Sequence, residues 1–317
     1  MKQDLAAILS LMHYILWKKG EKMYQRRTDL ALEAHELWRG SGEAHPGVVT
    51  REHDAFGYGV TVVEVKEPRA AKALGKPVGT YVTVDLRPYW EHAEDALERA
   101  ATAVGVELRA LLGGAGAKTA LVVGLGNGAM TPDAIGPQVA EHILVTRHLM
   151  RDEAFASLTA VSVLVPGVLG RTGMEAAETI RGAVRTVRPD VLIAVDALAS
   201  RSLARVCTTV QLSDTGIVPG SGVGNRRRAI NRASLGIPVI AVGVPTVVDA
   251  ATLALDILEE AGAEGVEASA LRGHGDGVMV TPRDIDAQIR ELSRVVGYGI
   301  DLALQPLGYE ELCGLMG

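Results

Sequence analysis

The sequence predicts an α/β fold, a three-layer domain with a mostly parallel sheet flanked by helices. Three observations carry this. From about residue 60, short apolar runs rich in valine, isoleucine and alanine alternate with helical stretches. The runs are apolar at nearly every position, as in strands covered on both faces. Aromatic residues make up only 4% of the chain while glycine occurs 36 times, a mix that suits strand–turn–helix units better than a β-sandwich.

The elements follow in order. Residues 6–17, AAILSLMHYILW, place Leu5, Ile8, Leu9, Met12, Ile15 and Leu16 on one helical stripe. The run is too short to span a membrane, and no A-x-A cleavage site follows it. GVTVVEV (59–65) and TYVTVDL (80–86) read as strands, and 89–112 has helical spacing and good helix formers. ALVVG (120–124) precedes a helix up to about Met150, and VSVLV (161–165) precedes one near 174–187. DVLIAVD (190–196) and VCTTVQL (206–212) come next, then PVIAVGV (238–244) with a helix at about 248–261. A last helix near 283–304 closes the pattern. The expected organisation is an N-terminal extension over 1–25 and a single α/β domain over 26–317.

Composition excludes several classes. With 48% hydrophobic and 22% charged residues the chain can bury a core. A net charge of −6 gives no electrostatic reason for nucleic-acid binding. Cys207 and Cys313 make neither a disulfide framework nor a cysteine metal site, which fits a reducing cytoplasm.

The chemistry is expected outside the carboxyl ends of the strands, where open parallel sheets bind ligands. Two aspartates meet that condition. Asp196 ends VLIAVD, and Asp133 sits between Pro132 and Pro137 in the turn GLGNGAMTPDAIGP, which starts at Gly124. A helix starting at this turn would favour an ionised carboxylate. Two close carboxylates share a proton, so one acts as base on a water and the other as acid. The competing reading makes Asp133 a helix cap and Asp196 a strand-end turn residue. Other patterns are weaker. The glycine turn is not G-x-G-x-x-G and lacks a Walker lysine, which argues against a dinucleotide site. Asp214-Thr215-Gly216 matches the pepsin triplet, but only once and in an α/β pattern; Asp214 stays a candidate lining residue. His148 and His274 are candidates to join the aspartates at a metal, although no H-E-x-x-H is present. The long loop 213–232 ends in Arg226, Arg227 and Arg228, which suit an acidic substrate side chain.

Several blocks resemble the spore germination protease family: RRTDLALEAHEL (26–37), KALGKPVGTYVTVD (72–85), VGLGNGAMTPDAIGPQV (123–139), VTRHL (145–149) and PGVLGRTGMEAAE (166–178). IAVDALASRS (193–202), SDTGIVPGSGVGNRRR (213–228), GIPVIAVGVPTVVDAAT (236–252) and VMVTPRDID (278–286) continue the match in order, from about residue 26 to 305. The resemblance implies an atypical aspartic endopeptidase that degrades small acid-soluble spore proteins at germination, with a fold like the hydrogenase-maturation endopeptidases. It implies catalytic aspartates in the T-P-D-x-x-G-P and D-A-L-A blocks, here Asp133 and Asp196. It further implies an inactive precursor that cuts itself shortly before R-T-D-L, here between about Glu21 and Arg27. Substrates cut after glutamate would give Arg201 or Arg226–Arg228 an acidic partner. A homo-oligomer in the cytoplasm of the developing spore, with no cofactor, membrane or direct nucleic-acid partner, completes the expectation. One departure is Gly128-Ala129-Met130 beside Asp133, where the family has a bulkier W-N-V-like segment. Two rival readings stay open: a metal-assisted maturation-type peptidase using the same aspartates plus a histidine, and a non-enzymatic phosphate- or nucleotide-binding protein.

Overall fold

The computed structural model describes residues 28–40, 47–113, 117–221, 227–262 and 277–316. The expected extension, 1–25, lies outside the described residues. The strands are β1 (Val48–Ala55), β2 (Tyr58–Val65), β3 (Gly79–Asp85), β4 (Thr119–Gly124), β5 (Ala160–Leu164), β6 (Val191–Ser200), β7 (Thr209–Ser213), β8 (Val239–Asp249) and β9 (Met279–Val280). They form one sheet in the order β1-β2-β3-β7-β8-β6-β4-β5, with β9 beside β8. The α/β, helix-flanked sheet expected from sequence is present, and it is mixed. β8, β6, β4 and β5 run parallel. From β8 outward through β7, β3, β2 and β1 every pairing is antiparallel.

The parallel strands owe their position to apolar side chains on both faces. In β4, Ala120 and Val122 join one core while Leu121 and Val123 join another, as a two-residue period requires. The first core packs under α3 (Ala96–Leu111), α4 (Ile135–Glu141) and α7 (Ile285–Leu304), through residues such as Val104, Val139 and Ile300. The second packs under α5 (Ala176–Val187) through Ala177 and Ile180. On the antiparallel side, α1 (Ala31–Gly40) and α2 (Pro68–Leu74) cover Val63, Val65 and Tyr81. Helices α6 (Ala250–Glu260) and α8 (Tyr309–Met316) are accompanied by two single-turn helices, Leu169–Thr172 and Arg232–Leu235. No helix among the described residues is long and apolar enough to cross a membrane.

Four details depart from the sequence reading. β1 has no apolar run to announce it, because VVTREHDA is an edge strand largely open to solvent. The helix after β4 ends at Glu141, and α8 follows the expected last helix. The helical stretch read from residue 89 starts at Ala96, behind a 3-10 turn over Arg87–Glu91. Strand β6 does not end at Asp196 but continues to Ser200, because β8 stays paired with it to that point.

Candidate active site

That last difference builds the site. β4 stops at Gly124, opposite Val195. One residue further along β6, Asp196 has lost its neighbour on that side while keeping Gly243 of β8 on the other. The chain leaving β4 crosses this gap: Leu125 N–H donates to the Val195 carbonyl (2.8 Å), and the Thr131–Asp133 turn follows. Thr246 of β8 ties the turn down by donating to the Pro132 carbonyl (2.6 Å). Asp133 and Asp196 therefore arrive at one place from adjacent strands.

Two glycines make the approach possible. Gly126 has φ +109°, and a Cβ there would sit 2.1 Å from the Asp133 carbonyl oxygen. A Cβ on Gly136 would sit 2.2 Å from the Leu125 carbonyl oxygen and 2.6 Å from that of Val195. Any larger residue would lift the aspartate turn off the strand ends.

Asp133 is not a helix cap. Ala134 occupies the cap position of α4 and no side chain caps it. The Asp133 carboxylate instead accepts the Asn127 N–H (2.9 Å), closing its own loop. Burial raises its pKa above the usual carboxylate range, and that single hydrogen bond only partly opposes the rise. The helix-terminus effect expected to keep it ionised is outweighed by desolvation. Asp196 is buried, at 6% exposure. Its pKa is pushed well above the ordinary range, first by burial, then by the Asp133 charge, with Asp29 adding; the Ala197 N–H (3.0 Å) opposes this. Asp196, the more deeply buried of the two, is thus the one whose charged form is disfavoured more.

The other sequence candidates have partners of their own. Arg201 is paired with Asp256 (3.1 Å), in a second cavity of about 760 Å³. Arg227 faces Glu175 (3.8 Å) and Arg228 faces Glu178 (3.7 Å), both acids at the start of α5. Arg226 lies outside the described residues. Asp214 accepts the Thr80 N–H (2.8 Å), joining β7 to β3. No arginine enters the charge environment of either site aspartate among the described residues. His148 is exposed on a 3-10 turn, and His274 is outside the described residues. The described residues contain no group of three metal-type side chains placed to share an ion.

Sequence reasoning missed what lies alongside the pair. Residues Thr28–Ala31 run past the strand ends of β6 and β7. Asp29 N–H donates to the Ala199 carbonyl (2.9 Å), and the Asp29 carboxylate accepts Ala199 N–H (3.0 Å) and the Ser221 hydroxyl (2.8 Å). The Asp29 carbonyl accepts from Lys76 Nζ (2.7 Å) and Gln211 Nε2 (3.2 Å). Just beyond, the buried Glu33 carboxylate accepts from Thr28, Ser200, Arg201 N–H, Ser202 N–H and Arg205. Asp29, Lys76, Gln211, Ser221 and Gly243 line a cleft of about 860 Å³. The signals were faint: a glutamine inside the apolar run VCTTVQL, and a lysine in a link that reads as a plain turn.

Comparison with known proteins bears on this arrangement. The family model described as "Germination protease" matches residues 27–269. A germination protease of Caldanaerobacter subterraneus subsp. tengcongensis is 43% identical over 307 residues, covering 88% of this chain and 94% of its own. One from Clostridium perfringens is 43% identical over 316 residues, covering 90% and 96%. One from Bacillus velezensis is 44% identical over 243 residues, covering 74% and 66%. Among solved structures, the NiFe hydrogenase maturation protease HycI of Thermococcus kodakarensis superposes with a TM-score of 0.35 at 16% identity, covering 61% of this chain and 98% of its own.

Proposed function

We propose, from the premise that this chain belongs to the germination protease family and is a peptidase, that it cuts peptide bonds with Asp133 and Asp196 acting as one acid pair. The observation that carries this reading is the burial of Asp196 directly beside a second carboxylate, both with raised pKa. In the reaction, ionised Asp133 takes a proton from water, whose oxygen attacks the peptide carbonyl carbon. Asp196 gives its proton to the leaving nitrogen as the C–N bond breaks. The pair then returns to its shared-proton state.

The finer parts of the reading are a self-processing precursor and small acid-soluble spore proteins as substrates. A homo-oligomeric, cytoplasmic enzyme of the spore interior belongs to the same reading. The expected self-cleavage window, about Glu21 to Arg27, lies outside the described residues, and Thr28–Ala31 is the described segment that runs past the pair. The Asp29 charge acts on Asp196, which sets this segment near the pair.

The test is intact mass over time at mildly acidic pH for wild type, Asp133→Asn and Asp196→Asn, with a small acid-soluble spore protein added as substrate. Wild type is expected to lose its N-terminal segment and to cut the substrate. Each variant is expected to stay whole and inert. Clipping at wild-type rate in either variant removes that aspartate from the mechanism.

A further inference from the structure

We propose that Thr246, backed by Thr281, is the positioning residue of the acid pair, its hydroxyl setting the turn that carries Asp133 against the strand that flanks Asp196. The inference rests on the acid-pair reading above and adds the device that holds the two members in register.

The sequence V-P-T in β8 interrupts the sheet at one point. β8 is an interior strand, where proline is tolerated only at an irregularity because it has no N–H for the ladder. The register with β6 shifts there. Leu198 is opposite Pro245 and Ala199 is opposite Val247, so Thr246 has no residue opposite it on β6. An extra residue of this kind re-aims a side chain, a device found next to active sites. Thr246 is fully buried, and its hydroxyl is spent on the Pro132 carbonyl (2.6 Å), outside its own strand.

What the hydroxyl holds is the peptide plane leading into Asp133. The oxygen of that plane is the Pro132 carbonyl, and its N–H is that of Asp133, which donates to the Met130 carbonyl (2.8 Å). With both ends of a planar group fixed, the direction in which Asp133 leaves it is fixed as well. The bonds from Asn127 N–H to the Asp133 carbonyl (3.0 Å) and carboxylate (2.9 Å) shape the turn from within. Leu125 anchors its start to β6, and Thr246 anchors its far end to β8. Three residues before Thr246, Gly243 of the same strand is opposite Asp196. One strand therefore references both carboxylates. Thr246 is itself braced, because Thr281, just past β9, donates to its carbonyl (2.9 Å).

An acid pair depends on such a reference. Two carboxylates influence each other strongly only at close range, and a displacement of about 1 Å can cost a reaction roughly 10²-fold. Asp196 shows the coupling. After its own burial, the Asp133 charge is the largest influence raising its pKa, with Asp29 adding and the Ala197 N–H opposing. A turn that lifts from β8 carries the Asp133 charge away, and Asp29 alone is left to disfavour the ionised form of Asp196. The Asp196 value then falls, so the protonated form that activity needs is lost at lower pH. The upper limb of the pH–rate profile moves toward acid. A threonine that only filled space would lower stability without moving that limb.

The test uses the full chain, with circular dichroism and thermal melting on every variant. It reads self-cleavage by intact mass, and kcat, KM and the pH–rate profile on an added small acid-soluble spore protein. Thr246→Val keeps the volume and removes the donor. It is expected to lower kcat roughly 10–10²-fold with KM nearly unchanged, and to move the upper limb to lower pH. Thr246→Ser returns the hydroxyl without the methyl, and should recover most of the rate and restore the limb. Thr281→Val should act in the same direction by about two- to fivefold, because it loosens Thr246 without removing its donor. A folded Thr246→Val enzyme with wild-type kcat and an unmoved limb overturns the assignment, as does a Thr246→Ser enzyme no better than Thr246→Val. If Thr246→Val fails to fold, a Thr281→Val rate and profile that coincide with wild type overturn it. Asp133→Asn separates the two readings: full activity there defeats the acid pair itself, whereas an inert Asp133→Asn beside a fully active Thr246→Val defeats only the positioning role.

Discussion

The two halves of the sheet differ in the polar side chains they carry near its middle. The parallel half supplies carboxylates, with Asp196 on β6 and Asp133 on the turn leaving β4. The antiparallel half supplies donors to the chain's own Asp29 carbonyl, with Gln211 on β7 and Lys76 just ahead of β3. The seam is the β7–β8 pair, where strand direction reverses. Parallel strands all end at one edge, so they can cluster like charges that a folded chain would otherwise keep apart. The antiparallel strands cross that edge in the other direction and let side chains of a different kind meet it.

If this division holds, removing either carboxylate should have the largest effect. Asp196→Asn or Asp133→Asn is expected to cut activity roughly 10²–10⁴-fold. Asp196→Asn should also melt higher than wild type at neutral pH. The native state holds the Asp196 proton more tightly than the unfolded chain, so its contribution is full below about pH 3.9. It is lost as pH rises through the raised native value. The gap between variant and wild type should therefore shrink in acid, and thermal melts across pH would check it.

The next effect tests the turn against the strand. Gly126→Ala forces a side chain into φ +109° and against the Asp133 carbonyl. It should cost about 1–3 kcal/mol of stability and lower activity, while leaving β6 intact. A Gly126→Ala enzyme with wild-type activity would mean that the position of Asp133 is not critical.

The pH–rate profile sharpens the comparison within the pair. Activity needs Asp133 ionised and Asp196 protonated, so it should rise as pH passes the raised Asp133 value and fall as pH passes the higher Asp196 value. Moderate salt should flatten its upper limb little, because Asp196 is buried, and act more on the lower limb, because Asp133 is only half-buried.

The smallest effect lies far from the seam. Asp301 in α7 is buried, with one oxygen accepting the Leu144 N–H (2.8 Å) and the other without a partner among the described residues. Burial raises its pKa to about 8. Its stabilising proton is thus fully effective below about pH 3.9 and lost as pH rises through about 8. Asp301→Asn should remove that dependence, raising the melting temperature by a few degrees at alkaline pH with activity unchanged.

How much of this was legible in the sequence follows the same division. Runs such as ALVVG and PVIAVGV advertise parallel strands because both faces are buried. Asp196 and Asp133 stood out because they follow apolar runs at the carboxyl ends of parallel strands, where such sheets bind ligands, although spacing alone equally allowed a cap and a turn residue. β1 gave no signal, because an edge strand alternates with solvent and reads as polar chain. Arg201, Arg227 and Arg228 were attractive as cations, yet periodicity could not reveal that Asp256, Glu175 and Glu178 stand opposite them. Lys76 and Gln211 were missed for the opposite reason: their meaning lies in contacts to residues about 50 and 180 positions away in sequence, which no local pattern encodes.

Glu33 gives the proposed self-cleavage a lopsided outcome. Its carboxylate moors the first turn of α1 to Ser200, Arg201, Ser202 and Arg205. A cut upstream of that mooring frees only the piece before it. The new amino end stays berthed at the rim of the cleft, too short-leashed to drift away and too firmly tied to be exchanged. Departure of one fragment, rather than of two, would then open the enzyme to its next peptide.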